Sequence, residues 1–137
     1  MNKPSPAYGT GDSSYKAAGE LSGLIRLVDA FYTYMETLPE ARVILQMHSA
    51  DLALSRKKLA YFLSGWLGGP RLYAEHFGSI VIPAVHRHLS VGYAQRDAWL
   101  LCMQRAIADQ PYDESFKVYL LEQLRVPAER VRAACHV

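Results

Sequence analysis

The stretch from Met47 to Tyr73, MHSADLALSRKKLAYFLSGWLGGPRLY, reads as one helix with its start and stop signals attached. Asp51 has the short acceptor side chain of an N-cap. Beyond it Leu52, Leu59, Phe62, Leu63 and Trp66 fall at helical spacing on one face, with Ser55, Arg56, Lys57 and Lys58 near its edge. Gly68-Gly69-Pro70 then ends the helix abruptly, since glycine leaves it easily and proline cannot continue it.

The same 3.6-residue period extends outward in both directions. After Gly19, Leu24, Val28, Phe31 and Met35 recur on one stripe, widened by Leu27 and Tyr32, and the segment stops before Pro39. Pro39 suits the first position of a short helical turn running to Met47. Between Arg71 and Val91 the pattern weakens, which predicts one or two short helical pieces held by loops. A strong helix resumes from Tyr93 to Asp109, carrying Trp99, Met103, Ala106 and Ile107 on one side. The last helix begins near Asp113 with Phe116, Tyr119, Leu120 and Leu124, and Pro127 predicts a kink or interruption before Ala128 to Cys135. No segment alternates like a strand. The expected architecture is all-α, with four substantial helices and a loose middle.

The chain has 137 residues, enough for a single domain that folds without disulfides or a structural metal. Residues 1–12 hold two prolines, two glycines and few large apolar groups, so they read as a flexible leader before a domain over 13–137. With 50% hydrophobic and 20% charged residues, the composition is that of a globular protein rather than a disordered or fibrous one. The net charge of +2 is spread along the chain, so a surface built to track nucleic-acid phosphates is not expected. Cys102 and Cys135 match no metal-binding spacing, and no apolar run approaches the roughly 20 residues of a membrane span. A cytoplasmic protein with free thiols follows as the expectation: Cys102 inert among apolar helix residues, Cys135 exposed near the tail.

The side chains exclude several chemistries. There is no HExxH, CxxC or glycine-rich phosphate loop, and His48, His86 and His88 have no carboxylates paired with them along the chain. A haem iron asks for less: one axial imidazole, a wide apolar pocket and a few polar groups opposite. Leu59, Phe62 and Leu63 could form one wall and Trp99 another, with Tyr32 and His48 supplying hydrogen bonds. Periodicity alone does not separate this arrangement from an ordinary aromatic core.

The segments YKAAGELSGLIRLVDAFYTYM, MHSADLALSRKKLAYFLSGWLGGPRLY and QRDAWLLCM resemble, in order and spacing, the group II truncated haemoglobins over about residues 13 to 135. The block FLSGWLGGPRLY carries most of that resemblance. It implies a two-over-two helical sandwich around a haem pocket, with haem b (iron protoporphyrin IX) as cofactor. It also implies a proximal histidine about ten residues before the Arg96-Asp97 pair, which falls on His86. Tyr32 then matches the distal tyrosine, Trp99 the pocket tryptophan, and His48 a distal position that varies in the family. Ser55 stands where other globins place a distal histidine, and Leu59 lies one turn further on as an apolar wall. Phe62, Leu63, Tyr73 and Val91 complete the implied haem contacts.

The chain departs from the family around the implied ligand. Group II sequences commonly read GHPRLRxRHxPFxIG there, whereas residues 78–92 read GSIVIPAVHRHLSVG. Val85 replaces the arginine implied to pair with a haem propionate, leaving Lys58 and Tyr73 for that task, with Arg87 or His88 as further possibilities. His88 replaces a proline and is a rival ligand to His86; the distance to RDAWL favours His86.

The function implied is binding of oxygen, and of other small ligands such as nitric oxide, carbon monoxide or sulfide, in a monomer or homodimer. A second reading is a haem-dependent peroxidase or nitric-oxide dioxygenase served by an external reductase. A third is a haem-free interaction or sensor module, motivated by the altered Ile80–Val85 segment.

Overall fold

The computed structural model describes residues 7–48, 51–78 and 91–135. In chain order these form α1 (Ser13–Ala17), α2 (Glu20–Thr37), a 3-10 turn (Pro39–Ala41), α3 (Arg42–Gln46), α4 (Leu52–Trp66), α5 (Leu72–Phe77), α6 (Tyr93–Ala108) and α7 (Glu114–Ala134), with no strand among the described residues. Helix α2 packs against both α4 and α6, and α6 packs against α7. Two helix pairs, α2 with α4 and α6 with α7, are thereby joined where α2 meets α6, the expected two-over-two arrangement.

The apolar stripes explain the packing. On α2, Leu24, Leu27, Val28, Phe31, Tyr32 and Met35 are buried, which is the face its period predicts. The same core takes in Ala98, Cys102, Met103, Ala106 and Ile107 of α6 and Phe116, Leu120 and Leu124 of α7. Helix α4 behaves differently. Its fully covered residues are Ala60, Leu63 and Ser64, whereas Leu52, Leu59, Phe62 and Trp66 are only half-buried against the core. The predicted stripe is thus split lengthwise, one half in the core and the other along an edge.

The start and stop of α4 follow the sequence. The Asp51 carboxylate accepts a hydrogen bond from the Leu54 N–H at 3.0 Å, satisfying a first-turn donor. At the other end the Gly69 N–H donates to the Ser64 carbonyl at 2.8 Å, and the buried Ser64 hydroxyl donates to the Pro70 carbonyl at 2.7 Å. Gly68 has φ of +90°, and a Cβ on it would come within 2.0 Å of the Gly11 carbonyl oxygen. A Cβ on Gly69 would lie 2.4 Å from the Tyr15 ring, so the double glycine lets α1 pack directly on the turn.

Two expectations need correction. Helix α7 runs through Pro127 to Ala134 without interruption. The missing Pro127 N–H would have bonded to the carbonyl of Gln123, and Gln123 is exposed, so water can solvate that group. The last turns are also anchored, because Glu129 receives Arg96 of α6 at 2.7 Å. Continuation of the helix carries Cys135 into the protein, where it is 3% exposed rather than open to solvent. Cys102 is fully buried, and burial pushes its thiol pKa up to about 11, as an inert core cysteine requires. Of the expected leader, residues 1–6 lie outside the described residues. Tyr8 sets its ring 5.2 Å from Phe116 and joins its hydroxyl to that of Ser115 at 2.8 Å, on α7.

Candidate functional site

Phe31 on α2 organises the aromatic cluster that α2 and α6 share. It is fully buried, and its ring lies edge-on to Tyr32 at 5.1 Å and to Trp99 of α6 at 5.2 Å. Such T-shaped contacts hold ring planes more firmly than area burial alone. Tyr32 in turn meets the His48 imidazole edge-on at 5.5 Å. The three expected distal residues, Tyr32, His48 and Trp99, are therefore joined in one aromatic chain through Phe31, although 67 positions separate the first and last.

Tyr32 is 3% exposed. Burial pushes its pKa up to about 12, partly opposed by the Arg56 guanidinium, so the group is a neutral donor. The His48 ring is fixed through Nδ1, which pairs with the Ile44 carbonyl at 2.8 Å. Because a carbonyl only accepts, Nδ1 carries the proton and the neutral ring has its lone pair on Nε2. His48 is thus an acceptor on its other side in the neutral form, and becomes a donor there only when protonated.

The remaining expected contacts lie along α4 and α5. Ser55, Leu59 and Phe62 are half-buried along the open edge of α4, while Leu63 is fully buried at the border with the core. Lys58 places its ammonium 5.4 Å from the Phe77 ring centre, and the Tyr73 ring lies 5.2 Å from the same residue. A cavity of about 240 Å³ opens between α4 and α5, lined by Tyr61, Phe62, Gly65, Trp66, Arg71, Tyr73, Ala74 and Gly78. Val91 is half-buried just before α6, whose first N–H groups include Gly92 donating to the Gln95 side chain at 2.8 Å. Val85, His86 and His88 lie outside the described residues.

Two cations escaped the sequence reading. Arg71 lines the cavity beside Tyr73, within the GGPRLY block itself. Arg56 was assigned only to the edge of α4, yet its guanidinium sits 5.8 Å over the Tyr32 ring, a contact across helices that no local period reveals. The Arg96-Asp97 pair is structural: Arg96 bonds to Asp97 and to Glu129, tying the start of α6 to α7. Among the described residues no group of three or more His, Cys, Asp or Glu side chains could hold a metal ion, and no helix is long and apolar enough to cross a membrane.

Comparison with known proteins places this architecture. Residues 13–131 match the bacterial-like globin family. The chain is 31% identical over 120 residues to the group 2 truncated hemoglobin YjbI of Bacillus subtilis, covering 88% of each protein. Its fold superposes with a TM-score of 0.83 on the group II 2-on-2 hemoglobin of Agrobacterium tumefaciens, at 30% identity over 96% of this chain and 98% of that one. It superposes with a TM-score of 0.77 on a truncated oxygen-avid haemoglobin from Bacillus subtilis, at 30% identity over 86% and 97% of the two chains. The family match over most of the chain and the 31% identity to a group 2 relative agree with the helical fold, and the chain belongs to the group II truncated haemoglobins.

Proposed function

We propose that this protein binds haem b and, through it, oxygen and related small ligands, with His86 as the axial imidazole and Tyr32 as the principal distal donor. The observation that carries the reading is the aromatic cluster shared by α2 and α6: Tyr32, 3% exposed, meets Phe31 and His48 edge-on, and Phe31 in turn meets Trp99. A buried phenol at such a cluster is a donor placed in apolar surroundings, which fits a pocket completed by a ligand. The half-buried apolar edge formed by Leu59, Phe62 and Trp66 fits the face of a flat apolar cofactor in the same way. Family membership and the oxygen-avid relative point in the same direction.

When bound, haem would supply an iron that binds small diatomic ligands. The chain's residues do the rest. Tyr32 donates its hydroxyl proton toward a ligand that gains negative charge, and it stays protonated across the physiological range because burial raises its pKa. Trp99 adds an indole N–H, a donor that cannot accept. His48 holds an acceptor toward the pocket in its neutral form, so its part is to receive a proton-bearing partner or to donate after protonation. Leu59, with Phe62, Leu63 and Val91, excludes water and so strengthens those hydrogen bonds. Lys58 and Tyr73, joined by Arg71 at the cavity mouth, are the groups for the propionates, while Ser55 leaves the usual distal histidine position without an imidazole.

Purified protein supplied with haem is expected to show a Soret band at one haem per chain and to release oxygen slowly. Absence of stoichiometric haem uptake refutes the proposal and favours a haem-free module.

A further inference from the structure

Helix α4 contributes a charged residue to the distal side that neither the motif nor the family comparison singles out. Arg56 extends from its second turn across to α2. Its guanidinium reaches Asp29 at 3.7 Å through Nε and Glu36 at 3.7 Å through Nη2. Asp29 precedes Tyr32 by one turn and Glu36 follows it by one turn, so the two carboxylates stretch Arg56 along the outer side of α2. That places the guanidinium over the Tyr32 ring, 5.8 Å from its centre and within cation–π range. Neither ion pair is short enough to be a hydrogen bond, and Arg56 Nε is buried without a hydrogen-bond partner. A residue selected for ion-pair strength alone would close those distances.

We propose that Arg56 is a positioning residue for Tyr32, holding the phenol ring in place and polarising its hydroxyl into a stronger donor toward the ligand. The proposal rests on the assignment of Tyr32 as the distal donor. A positive charge over the ring draws electron density from it, which makes the O–H more acidic and its hydrogen bond to a partly negative acceptor stronger. The counter-charges do not cancel this. Asp29 and Glu36 have side chains 60% and 44% exposed, against 34% for Arg56, so water screens the carboxylates more than the guanidinium. His48, the other titratable group against Tyr32, is turned by its Ile44 bond so that its donor points away. The arrangement separates roles: Asp29 and Glu36 fix where the charge sits, and Arg56 delivers it.

The test is the stretching frequency of carbon monoxide bound to the haem-loaded ferrous protein, which falls as distal donation strengthens. It is read with oxygen dissociation in Tyr32→Phe, Arg56→Met, Arg56→Lys and the Arg56→Met/Tyr32→Phe double variant. Arg56→Gln stands in if the methionine variant does not fold. The expected result is that Arg56→Met raises the frequency part of the way to that of Tyr32→Phe and speeds oxygen release several-fold. Arg56→Lys is expected to return most of the shift, and Arg56→Met to add nothing in the Tyr32→Phe background. If Arg56→Met leaves the band unmoved while Tyr32→Phe moves it, the role of Arg56 is refuted and that of Tyr32 stands. Equal shifts for Met and Lys, or additivity in the double variant, refute action through Tyr32. If Tyr32→Phe itself moves nothing, the distal assignment falls and this proposal with it.

Discussion

Two buried phenols in this protein share one chemistry and differ in use. Tyr32 and Tyr112 are each pushed up to a pKa of about 12, mainly by burial, and of the two it is the Tyr112 hydroxyl that is wholly buried without a hydrogen-bond partner. Tyr32 meets His48 directly and Trp99 by way of Phe31, so its donor has a proposed ligand to meet. Tyr112 packs on Phe116 with no such role assigned, and its hydroxyl is a desolvated group with nothing in return. Tyr112→Phe is therefore expected to raise stability by about 1 kcal/mol, read from urea denaturation. Tyr32→Phe is expected to speed oxygen release roughly 10–100-fold, the loss of one hydrogen bond to a charged acceptor. An unchanged rate in stopped-flow removes Tyr32 from the site. At this scale residue identities were legible from the AFY and RDAWL motifs, but partnerships were not. The Nδ1 bond of His48 and the reach of Arg56 depend on backbone positions that only the folded chain brings close.

The elements were more legible than their faces. Helical period placed α2, α4, α6 and α7, and the Asp51 cap and the Gly68-Gly69-Pro70 stop lie where the local chemistry requires them. Period alone did not show that α4 divides its stripe, because Leu59 and Leu63 are equally apolar and one turn apart. Their difference arises from what lies opposite: Leu63 meets the core and Leu59 the edge. Leu63→Ala is accordingly expected to cost 2–5 kcal/mol of stability, whereas Leu59→Ala is expected to cost less in haem-free protein, both by denaturant titration. Equal costs contradict the split. Gly69→Ala forces a methyl against the Tyr15 ring and is expected to lower the melting temperature by several degrees. Pro127 illustrates the limit of a local rule, since tertiary anchoring through Glu129, with Gln123 one turn earlier on the exposed side, lets the helix pass a residue that usually stops one.

For the whole molecule, the buried acids set an alkaline limit. The Cys102 thiol rises from 9.0 to about 11, and the Tyr32 and Tyr112 phenols from 10.0 to about 12. Each has a folded-state pKa above its unfolded value, so the unfolded chain loses these protons first as pH rises. Their contribution is fully present below about pH 9 and is lost progressively between pH 9 and 12. Stability measured across that window is expected to fall, with Tyr112→Phe flattening the upper part. A flat profile in the wild type contradicts the burial of these groups. The fold as a whole was legible because a two-over-two sandwich needs only four amphipathic helices and their stops, and the FLSGWLGGPRLY block supplies a specific anchor. The proximal side was not legible to the same depth, because residues 78–92 abandon the family's arginines and offer two histidines. The central claim turns on that pair. Absorption spectra of the haem-loaded ferrous protein, wild type beside His86→Ala and His88→Ala, decide it. The account predicts that His86→Ala alone loses the five-coordinate imidazole signature, and loss of that signature only in His88→Ala contradicts it.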